Sequence, residues 1–455
     1  MLTVSVPVAE MVEHGRLDPE YFSPAHRDLE FKLSRLNSVP LGTLGSFTCS
    51  AFYPAATHLY DADGVPFIRC VDLVDYPIVT PDQPFVRIPN WFVSSHGSIR
   101  TAKEGDIIIS KVGTPCYASL LGEGIGTVAL TRTVLGMLSI NKDKVDPRYL
   151  VAFLRSSIGF SQLMRERELT IQYQLTLERV RKVKVFLPDP NVQREIGDQF
   201  DEYHMKAVRS KTAFNEAQSL LESELGLDKL TFDKPVSYAA RFSEVSLSQA
   251  IAANRIDAQC FSPSAIQYEQ VLSNLPAVQP LRYLTVAMAK GAQQDESTYG
   301  TVPYVSIKHI QNSEVLTDRK SKAFRGMPLA RKGDVLLALT GSIGKVGVVS
   351  RYDELTFSGD VLSITAKNID PYYLVAVLSD RIGQVQLMRW ITGSNQGHLA
   401  PRDVGRVLIP RLDEKVEARI ASLMKESIDK THESARLLDQ AKRRVEELIE
   451  ETITA

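Results

Sequence analysis

Two long runs of the chain repeat apolar residues at alternating steps of three and four. They cover residues 193–225 and 414–453, and their stripes are broken only at Ser210 and Lys442. Such spacing keeps one face of a helix against a partner helix. The predicted stripe is Ile196, Phe200, Tyr203, Ala207, Phe214, Ala217 and Leu221 in the first run, and Ala421, Met424, Ile428, Thr431, Ala435, Leu438, Val445 and Ile449 in the second.

Each run predicts a helix roughly 50 Å long, because an α-helix rises about 1.5 Å per residue. Neither run contains proline, and neither contains glycine after its first turn. A helix of this length with one apolar stripe cannot bury that stripe alone. We therefore expect the two helices to pack against each other as an antiparallel pair.

The chain also contains an internal repeat, which decides its architecture before any local pattern does. In both copies a Gly-Asp turn precedes an apolar strand, and Asp146 and Asp370 each precede a proline, which predicts an N-capped helix. The matching segments are 16–24 with 255–263, 39–44 with 279–284, 66–69 with 303–306, 102–109 with 330–337, 146–152 with 370–376, 159–165 with 383–389, and 183–188 with 407–410.

The predicted fold class is α+β. Two mixed α/β globules related by the repeat are joined and separated by two long, antiparallel, coiled-coil-like helices. If the helices are antiparallel, the globules would lie at opposite ends of the pair and hold two sites a fixed distance apart. The predicted domains are 1–190 (with an N-terminal segment 1–38), a central helix 191–227, a connector with the repeated N-terminal segment 228–279, a second globule 280–411, and a C-terminal helix 412–455.

Composition and charge indicate which partners and which cellular compartment to expect. The 455 residues carry a formal net charge of −1, which neither requires nor excludes a polyanionic partner. The four cysteines form no CxxC pair and have no zinc-ligand spacing, so we expect reduced thiols and no metal site. The N-terminus does not look like a signal peptide, and no apolar run is long enough to span a membrane. These features predict a cytoplasmic protein.

The glycine-rich stretches at 122–126 and 341–345 resemble nucleotide loops only superficially. The first lacks the third glycine of a dinucleotide loop, and the second has Val346 where a phosphate loop needs Ser or Thr. The eight histidines include no HExxH motif, and no GxSxG is present. The sequence thus predicts turn glycines and no catalytic constellation.

Two other pairs of loops are better candidates for binding. Segments 111–114 and 339–342 follow the buried strand of each copy and offer hydroxyls, backbone amides and nearby lysines, which suit phosphate oxygens. Segments 170–175 and 393–399 carry Asn, Gln, Tyr and His side chains that can contact bases. Plain solvated hairpins and polar loops remain the alternative interpretation of both pairs.

Together these features resemble the specificity subunit of type I restriction-modification systems. The resemblance rests on two tandem target-recognition domains, each closing with a strand (185–188 or 407–410) before a long helix that opens around Gln193 or Glu414. The Asp-Pro-x-Tyr-Leu helix starts and the Gly-Asp-Ile/Val strands also look like the family. The family usually has a longer proline-rich closing string with a Glu-Gln pair, of which the first copy keeps only Gln193. The resemblance covers nearly the whole chain.

The resemblance implies a non-catalytic subunit that selects a bipartite double-stranded DNA site, with the helix pair setting the spacer. It also implies two adenine-methyltransferase subunits docked on the long helices. Those subunits, and not this chain, would hold S-adenosylmethionine, and a restriction translocase subunit is a further candidate partner. No membrane partner is expected.

The candidate DNA-contacting residues lie mainly in loops that differ between the copies. Two alternatives stay open: a specificity module of a related defence system with another effector, and a two-domain protein-interaction scaffold. The candidates are Tyr53, Arg69, Arg87, Lys111, Thr114, Tyr117, Gln172 and Gln174 in the first copy, and Lys290, Lys308, His309, Arg325, Thr340, Ser342, Lys345, Asn395, Gln396 and His398 in the second.

Overall fold

The computed structural model divides the chain into two compact units. Unit 1 contains Met1–Lys206 and Glu433–Ala455, and unit 2 contains Ala207–His432. The structure describes residues 5–51, 57–60, 63–113, 116–169, 173–229, 260, 262–295, 297, 299–393 and 397–454. Most of the predicted connector and repeated N-terminal segment, residues 230–259, lies outside the described residues.

Unit 1 combines short helices with two main sheets. Its helices are α1 (Val8–His14), α2 (Pro24–Ser34), α3 (Asp72–Asp75), α4 (Asn90–Ser95), α5 (Pro147–Arg155), α6 (Ser157–Arg165), α7 (Leu177–Val180) and the first part of α8 (Pro190–Glu224). Its strands are β1 (Ser38–Pro40), β2 (Ser46–Thr48), β3 (Val65–Ile68), β4 (Ile78–Val79), β5 (Arg87–Ile88), β6 (Thr101–Lys103), β7 (Ile107–Ser110), β8 (Ala118–Leu121), β9 (Thr127–Leu130), β10 (Val134–Leu138), β11 (Glu168–Leu169), β12 (Tyr173–Gln174) and β13 (Lys184–Phe186).

Unit 2 repeats this order of elements. Its helices are the end of α8, then α9 (Pro263–Ser273), α10 (Pro371–Ser379), α11 (Arg381–Arg389), α12 (Pro401–Val404) and the first part of α13 (Glu414–Thr454), which ends in unit 1. Its strands are β14 (Val278–Pro280), β15 (Thr285–Lys290), β16 (Val302–Val305), β17 (Ile310–Gln311), β18 (Glu314–Val315), β19 (Lys320–Ser321), β20 (Leu329–Arg331), β21 (Val335–Ala338), β22 (Val346–Val348), β23 (Glu354–Phe357), β24 (Val361–Ala366) and β25 (Leu408–Pro410).

The sheets of the two units have matching topology, which confirms the internal repeat. Unit 1 has a five-stranded sheet of order β2-β10-β7-β8-β4, and unit 2 has a six-stranded sheet of order β15-β24-β21-β22-β18-β17. Each unit also has a four-stranded sheet, β5-β3-β9-β6 or β19-β16-β23-β20, with one central parallel pair. The antiparallel pairs β1·β13 and β14·β25 close the repeats.

Local chemistry explains why both copies fold alike. The Asp146 and Asp370 carboxylates each accept the backbone N–H two residues later at 2.8 Å, and proline fills the first helical position. In the Gly-Asp turns, Gly105 and Gly333 have φ of +84° and +92°, a region that favours glycine. All four residues of the strand that follows each turn, β7 or β21, are buried. The predicted caps, turns and strands are confirmed.

The long helices cover the predicted runs to within three residues at each end, and they pair within each unit. Lys206 contacts Glu433 at 3.1 Å in unit 1, and Arg209 contacts Glu426 at 2.7 Å in unit 2. The partner residues therefore follow in opposite order along α8 and α13, as in the predicted antiparallel pair. Ser210 does not interrupt the stripe: it is buried, and its hydroxyl donates to the Ser427 carbonyl at 2.8 Å.

The buried positions differ from the predicted stripe by one residue at three places. Ala213 is buried in α8, where Phe214 was expected, and Leu437 is buried in α13, where Leu438 was expected. Ala435 is exposed, and the neighbouring Ser434 is buried instead. Phe214 is still partly buried against the core, and the predicted positions Ala217 and Val445 are buried again farther along the two helices.

Within the described ranges, no helix is both long enough and apolar enough to cross a membrane. The same ranges contain no group of three or more His, Cys, Asp or Glu side chains placed to hold a metal ion.

Candidate nucleic-acid interface

In unit 1 the loop after β7 is bonded to the hairpin formed by β11 and β12. Val112 forms an isolated antiparallel bridge with Gln174, and the Leu175 N–H donates to the Lys111 carbonyl at 3.0 Å. From the other side, the Lys111 N–H donates to the Thr133 carbonyl at 2.8 Å. Two segments that the sequence suggested separately therefore form one site.

Unit 2 holds its equivalent loops with the same bonds. Thr340 bridges His398, and the Leu399 N–H donates to the Leu339 carbonyl at 2.9 Å. The Leu339 N–H donates to the Asp360 carbonyl at 2.8 Å, as Lys111 does to Thr133. Backbone groups make these contacts, so the frame persists although the side chains differ.

A third segment, the turn after β3 or β16, reaches the same place in each unit. A Cβ added at Gly113 would lie 3.2 Å from the Cys70 Sγ, and one added at Gly341 would lie 3.5 Å from the Ile307 Cδ1. Cys70 and Ile307 occupy equivalent positions in the repeat, five residues into the matching segments that begin at Pro66 and Pro303. We call the three segments together the loop cluster: residues 69–72, 111–113 and 173–175 in unit 1, and 306–309, 339–342 and 397–399 in unit 2.

The electrostatics of the turn differ between the loop clusters. In unit 1 the Arg69 guanidinium donates to both oxygens of the Asp72 carboxylate, at 3.1 and 2.8 Å, and these hydrogen bonds raise the pKa of Arg69. In unit 2 the His309 Nδ1 accepts the Ser306 N–H at 3.0 Å instead, while the Lys308 side chain is exposed. The turn of unit 1 thus contains an ion pair between Arg69 and Asp72, whereas the turn of unit 2 contains a hydrogen bond between the Ser306 backbone and the His309 ring.

The hairpin of unit 1 adds an aromatic surface. The Arg167 guanidinium lies 4.4 Å from the centroid of the Tyr173 ring, and the Tyr173 hydroxyl donates to the Glu20 carboxylate at 3.3 Å. Tyr173 is 37% exposed, so part of its ring remains available to a ligand. Tyr117 follows segment 111–113 in sequence and is half-buried. Its ring centroid lies 5.6 Å from that of Phe160.

The remaining predicted site residues lie in several places. Ser342 is exposed within the loop cluster of unit 2, and Lys345 is exposed three residues after it. Arg87, on β5, donates to the Gly64 carbonyl at 3.0 Å. Lys290 is exposed at the end of β15, and Arg325 is exposed between β19 and β20. Tyr53, Thr114, Gln172, Asn395 and Gln396 lie outside the described residues.

Sequence reasoning missed the residues that fix the loop from behind. Thr133 and Asp360 contribute the carbonyl groups that accept these bonds. Each residue directly precedes a strand, β10 or β24. Alignment of the two copies around these strands would have revealed them. Arg167, which packs on Tyr173, has no comparable signal, because the contact depends on the hairpin geometry.

Comparison with known proteins gives structural neighbours only. No family model matches the chain, and no curated protein sequence matches it significantly. Solved structures of restriction-modification proteins are among those that match. The type I S subunit from M. genitalium has a TM-score of 0.46 and 10% identity, covering 92% of this chain and 96% of that one.

Two further structures cover a similar share of the chain. One, described as showing complex assembly and conformational transition of the type I R-M system, has a TM-score of 0.31 and 13% identity over 91% of this chain and 97% of that one. The HsdS subunit from Thermoanaerobacter tengcongensis has a TM-score of 0.29 and 14% identity over 91% and 96%.

Proposed function

We propose that the chain is the DNA sequence-specificity subunit of a type I restriction-modification complex, in which each unit reads one half of a bipartite target. The duplicated loop cluster is the observation that carries this proposal. Equivalent backbone bonds hold the loops in both units, while the side chains they present differ. Because sequence is read mainly by side chains at base edges, one frame with two sets of side chains suits two different half-sites.

Within each loop cluster we assign two kinds of contact. Lys111 and Lys345, with the glycine-containing loops beside them, would bind backbone phosphates, which fix register but carry no sequence information. Gln174, His398 and Lys308 would reach base edges, since amide, imidazole and ammonium groups match donor and acceptor patterns in the major groove. The Tyr173 ring would pack against a base or sugar.

We infer that partners complete the activity. A net charge of −1 supplies little of the counterion release that drives DNA binding, so the chain alone would bind weakly. Two methyltransferase subunits docked on α8 and α13 would add cationic surface and bring S-adenosylmethionine, and a restriction translocase would be a further partner. The chain itself would select the site without catalysing a reaction. Two linked readers gain affinity because the second contact is intramolecular.

The decisive experiment is to co-express the chain with its neighbouring genes and sequence the host DNA for methylated adenines. The proposal expects one split motif with a fixed gap, and co-purification of a methyltransferase. If no adenine motif appears and no methyltransferase co-purifies, the DNA-specificity proposal is wrong, and a protein-interaction scaffold becomes the better account.

The helix pair offers a sharper prediction. Deleting seven residues from both α8 and α13 should shorten each helix by about 10 Å. Because successive base pairs are about 3.4 Å apart, the gap should shorten by up to about three base pairs. The half-sites themselves should stay the same. Methylome sequencing of the deletion variant measures this, and altered half-sites with an unchanged gap would contradict the assignment of the helices.

Lys308→Ala should relax the motif at one half-site only, by about 1 to 3 kcal/mol of discrimination, if Lys308 contacts a base. Arg69→Ala removes a cation from the corresponding turn of unit 1. Because Arg69 forms an ion pair with Asp72, we expect this change to alter recognition of the other half-site through the shape of the turn. Binding to matched and mismatched duplexes separates the cases. An equal loss over all sequences would reassign either residue to phosphate contact.

A further inference from the structure

In the loop cluster of unit 1, a single carboxylate holds the side chain of Arg69. The Arg69 Nε donates to the Asp72 Oδ2 at 3.1 Å, and the Arg69 Nη2 donates to the Asp72 Oδ1 at 2.8 Å. Two parallel bonds of this kind use one edge of the planar guanidinium and fix its orientation. The ion pair that shapes the turn therefore also aims the Arg69 side chain.

The opposite edge of the same guanidinium is still open. A guanidinium carries one N–H on Nε and two on each Nη nitrogen, and Asp72 takes the Nε donor and one Nη2 donor. The second Nη2 donor and both Nη1 donors form no bond with the described residues. The Arg69 side chain is 37% exposed, and its Nη1 is not among the buried atoms that lack a partner, so a ligand can reach this edge.

Asp72 is a rigid support for the guanidinium. Its side chain is 8% exposed, and its Oδ2 also accepts the Arg69 backbone N–H at 2.8 Å. Asp72 begins α3, whose next residue, Leu73, is fully buried, and the Leu73 carbonyl accepts from the Arg155 guanidinium on α5. Because the carboxylate is tied to the core, Arg69 has already lost much of the rotamer freedom that binding would otherwise cost.

The turn that carries Arg69 is anchored to the same residue as the loop after β7. The Cys70 N–H donates to the Thr133 hydroxyl at 3.3 Å, and the Thr133 carbonyl accepts from the Lys111 N–H at 2.8 Å. Arg69 thus directly precedes a residue that shares its anchor with Lys111, which the proposed function assigns to a phosphate. Phosphate contacts fix the register of a protein on DNA, and neighbouring side chains can then read bases.

Unit 2 closes the equivalent turn without a guanidinium. Ser306 and His309 occupy the positions of Arg69 and Asp72 in the repeat. The Ser306 N–H donates to the His309 Nδ1 at 3.0 Å, as the Arg69 N–H does to Asp72. The backbone bond is therefore common to both turns, whereas the oriented guanidinium belongs to the turn of unit 1.

We propose that Arg69 reads a guanine in the half-site of unit 1, and that Asp72 is its positioning residue. The inference rests on the proposed function and adds the identity of one base. Two parallel N–H groups, one from Nη1 and one from Nη2, match the O6 and N7 acceptors of guanine in the major groove. Adenine has a donor in place of O6, and neither pyrimidine offers such a pair of acceptors there.

A phosphate is a poorer ligand for the same edge. The Asp72 carboxylate neutralises the Arg69 guanidinium, so the pair contributes little counterion release on binding DNA. The carboxylate would also lie close to the phosphate charge and repel it. A neutral base edge avoids both costs.

Binding of the complex that co-purifies with the full chain tests the guanine contact. The probes are duplexes that carry the methylated motif and differ at one position at a time. At one position of one half-site the parent should prefer G by at least about tenfold, or about 1.4 kcal/mol. Arg69→Ser, which copies unit 2, should reduce that preference to less than about twofold and leave every other position of the motif unchanged.

Arg69→Lys separates reading from shape, because lysine can keep the ion pair with Asp72 but lacks the planar fork. It should weaken the G preference at the same position, whereas a role in turn shape alone predicts no change. If Arg69→Ser does not fold, Arg69→Lys decides. A motif without a G·C pair in either half-site, or an equal loss on all duplexes, would overturn the inference.

Asp72→Asn tests the positioning role, since asparagine has one accepting oxygen and no charge. The G preference should fall at the same position as in Arg69→Ser. The double variant should lose no more than Arg69→Ser alone, because Asp72 acts through Arg69. Additive losses would show that Asp72 acts on the turn independently and would overturn its positioning role.

Arg27→Ser is the matched control. Arg27 is 38% exposed, pairs with Glu10 at 3.0 Å and lies on α2, outside the loop cluster. Its removal should leave the motif unchanged, and an equal effect of Arg27→Ser and Arg69→Ser would overturn the inference. A parent complex without any split motif would mean that the proposed function fails and this inference with it. A split motif that both Arg69 variants leave unchanged would overturn the guanine contact alone.

Discussion

Unit 1 and unit 2 have matching backbone frames but different chemistry inside them. At three equivalent positions of the repeat, unit 1 has Arg155, Ser156 and Glu166 where unit 2 has Ser379, Asp380 and Trp390. Helix caps, glycine turns and loop bridges survive these changes because backbone groups form most of them. The comparison teaches that the frame constrains the side chains weakly, so each unit could acquire its own buried charges and its own ligand surface.

The largest contrast is at Arg155. It donates from Nε to the Ala118 carbonyl at 2.5 Å and from Nη2 to the Leu73 carbonyl, and thus ties α5 to β8 and α3. Burial lowers the pKa of Arg155 to about 10, so it remains protonated at neutral pH. Arg155→Ala removes both of these hydrogen bonds, leaves the Leu73 carbonyl with only the long bond from the Ser119 hydroxyl at 3.4 Å, and should lower the free energy of unfolding of unit 1 by about 3 kcal/mol.

Ser379→Ala is the matched change in unit 2 and should cost less than about 1 kcal/mol, since the Ser379 hydroxyl bonds its own helix at Val375. Native-state hydrogen exchange in β8 and in α10 measures the two effects separately. A loss of protection that is equal in both units would show that Arg155 does not hold unit 1 together.

The second contrast concerns pH. Burial raises the pKa of the Asp380 carboxyl to about 6, although it caps α11 by accepting the Ile382 N–H at 2.9 Å. Because this folded-state pKa lies above the unfolded value, the folded chain binds the extra proton between about pH 4 and 6. The contribution of Asp380 to stability therefore falls as pH rises through this window and is lowest above it.

Asp380→Ser introduces the residue that caps α6 in unit 1, where the Ser156 hydroxyl accepts the Gly159 N–H at 3.2 Å. The variant should be more stable than the parent by about 2 kcal/mol at pH 7, and the difference should shrink toward pH 4. Urea unfolding followed by the fluorescence of buried Trp390, in a Trp91→Phe background, reports on unit 2. A difference that does not depend on pH would mean that Asp380 titrates normally.

Local chemistry explains which features the sequence predicts. The caps at Asp146 and Asp370 and the Gly-Asp turns depend on neighbours within four residues, and the repeat shows them twice. A strict heptad template places most of the helix stripe correctly and misses it by one residue at Ala213. The bridge from Val112 to Gln174 joins segments 62 residues apart, counted as 174 minus 112, and nothing in either segment specifies the other. The exchange of Glu166 for Trp390 is visible in the aligned copies, but the burial of both side chains is not.

The smallest contrast is in the glycine loops, and it tests whether the loop cluster recognises DNA. Gly113 has φ of +88° and only 3.2 Å between a Cβ and the Cys70 Sγ, whereas Gly341 has φ of +61° and 3.5 Å to Ile307. Gly113→Ala should therefore destabilise its loop by about 1 to 2 kcal/mol, and Gly341→Ala by less. Gly97→Ala, with no atom within 4 Å, is the control and should have little effect.

Hydrogen exchange at two backbone amides measures how well each loop is held. The Leu175 N–H donates to the loop of unit 1, and the Leu399 N–H donates to the loop of unit 2. Gly113→Ala should lower protection at Leu175 alone and degrade one half of the methylated motif, and Gly341→Ala should do the reverse more weakly. If protection at Leu175 falls while both half-sites of the motif stay unchanged, the loop of unit 1 does not take part in DNA recognition. The base contacts would then have to come from the turn and the hairpin, which differ more between the units than the glycine loops do.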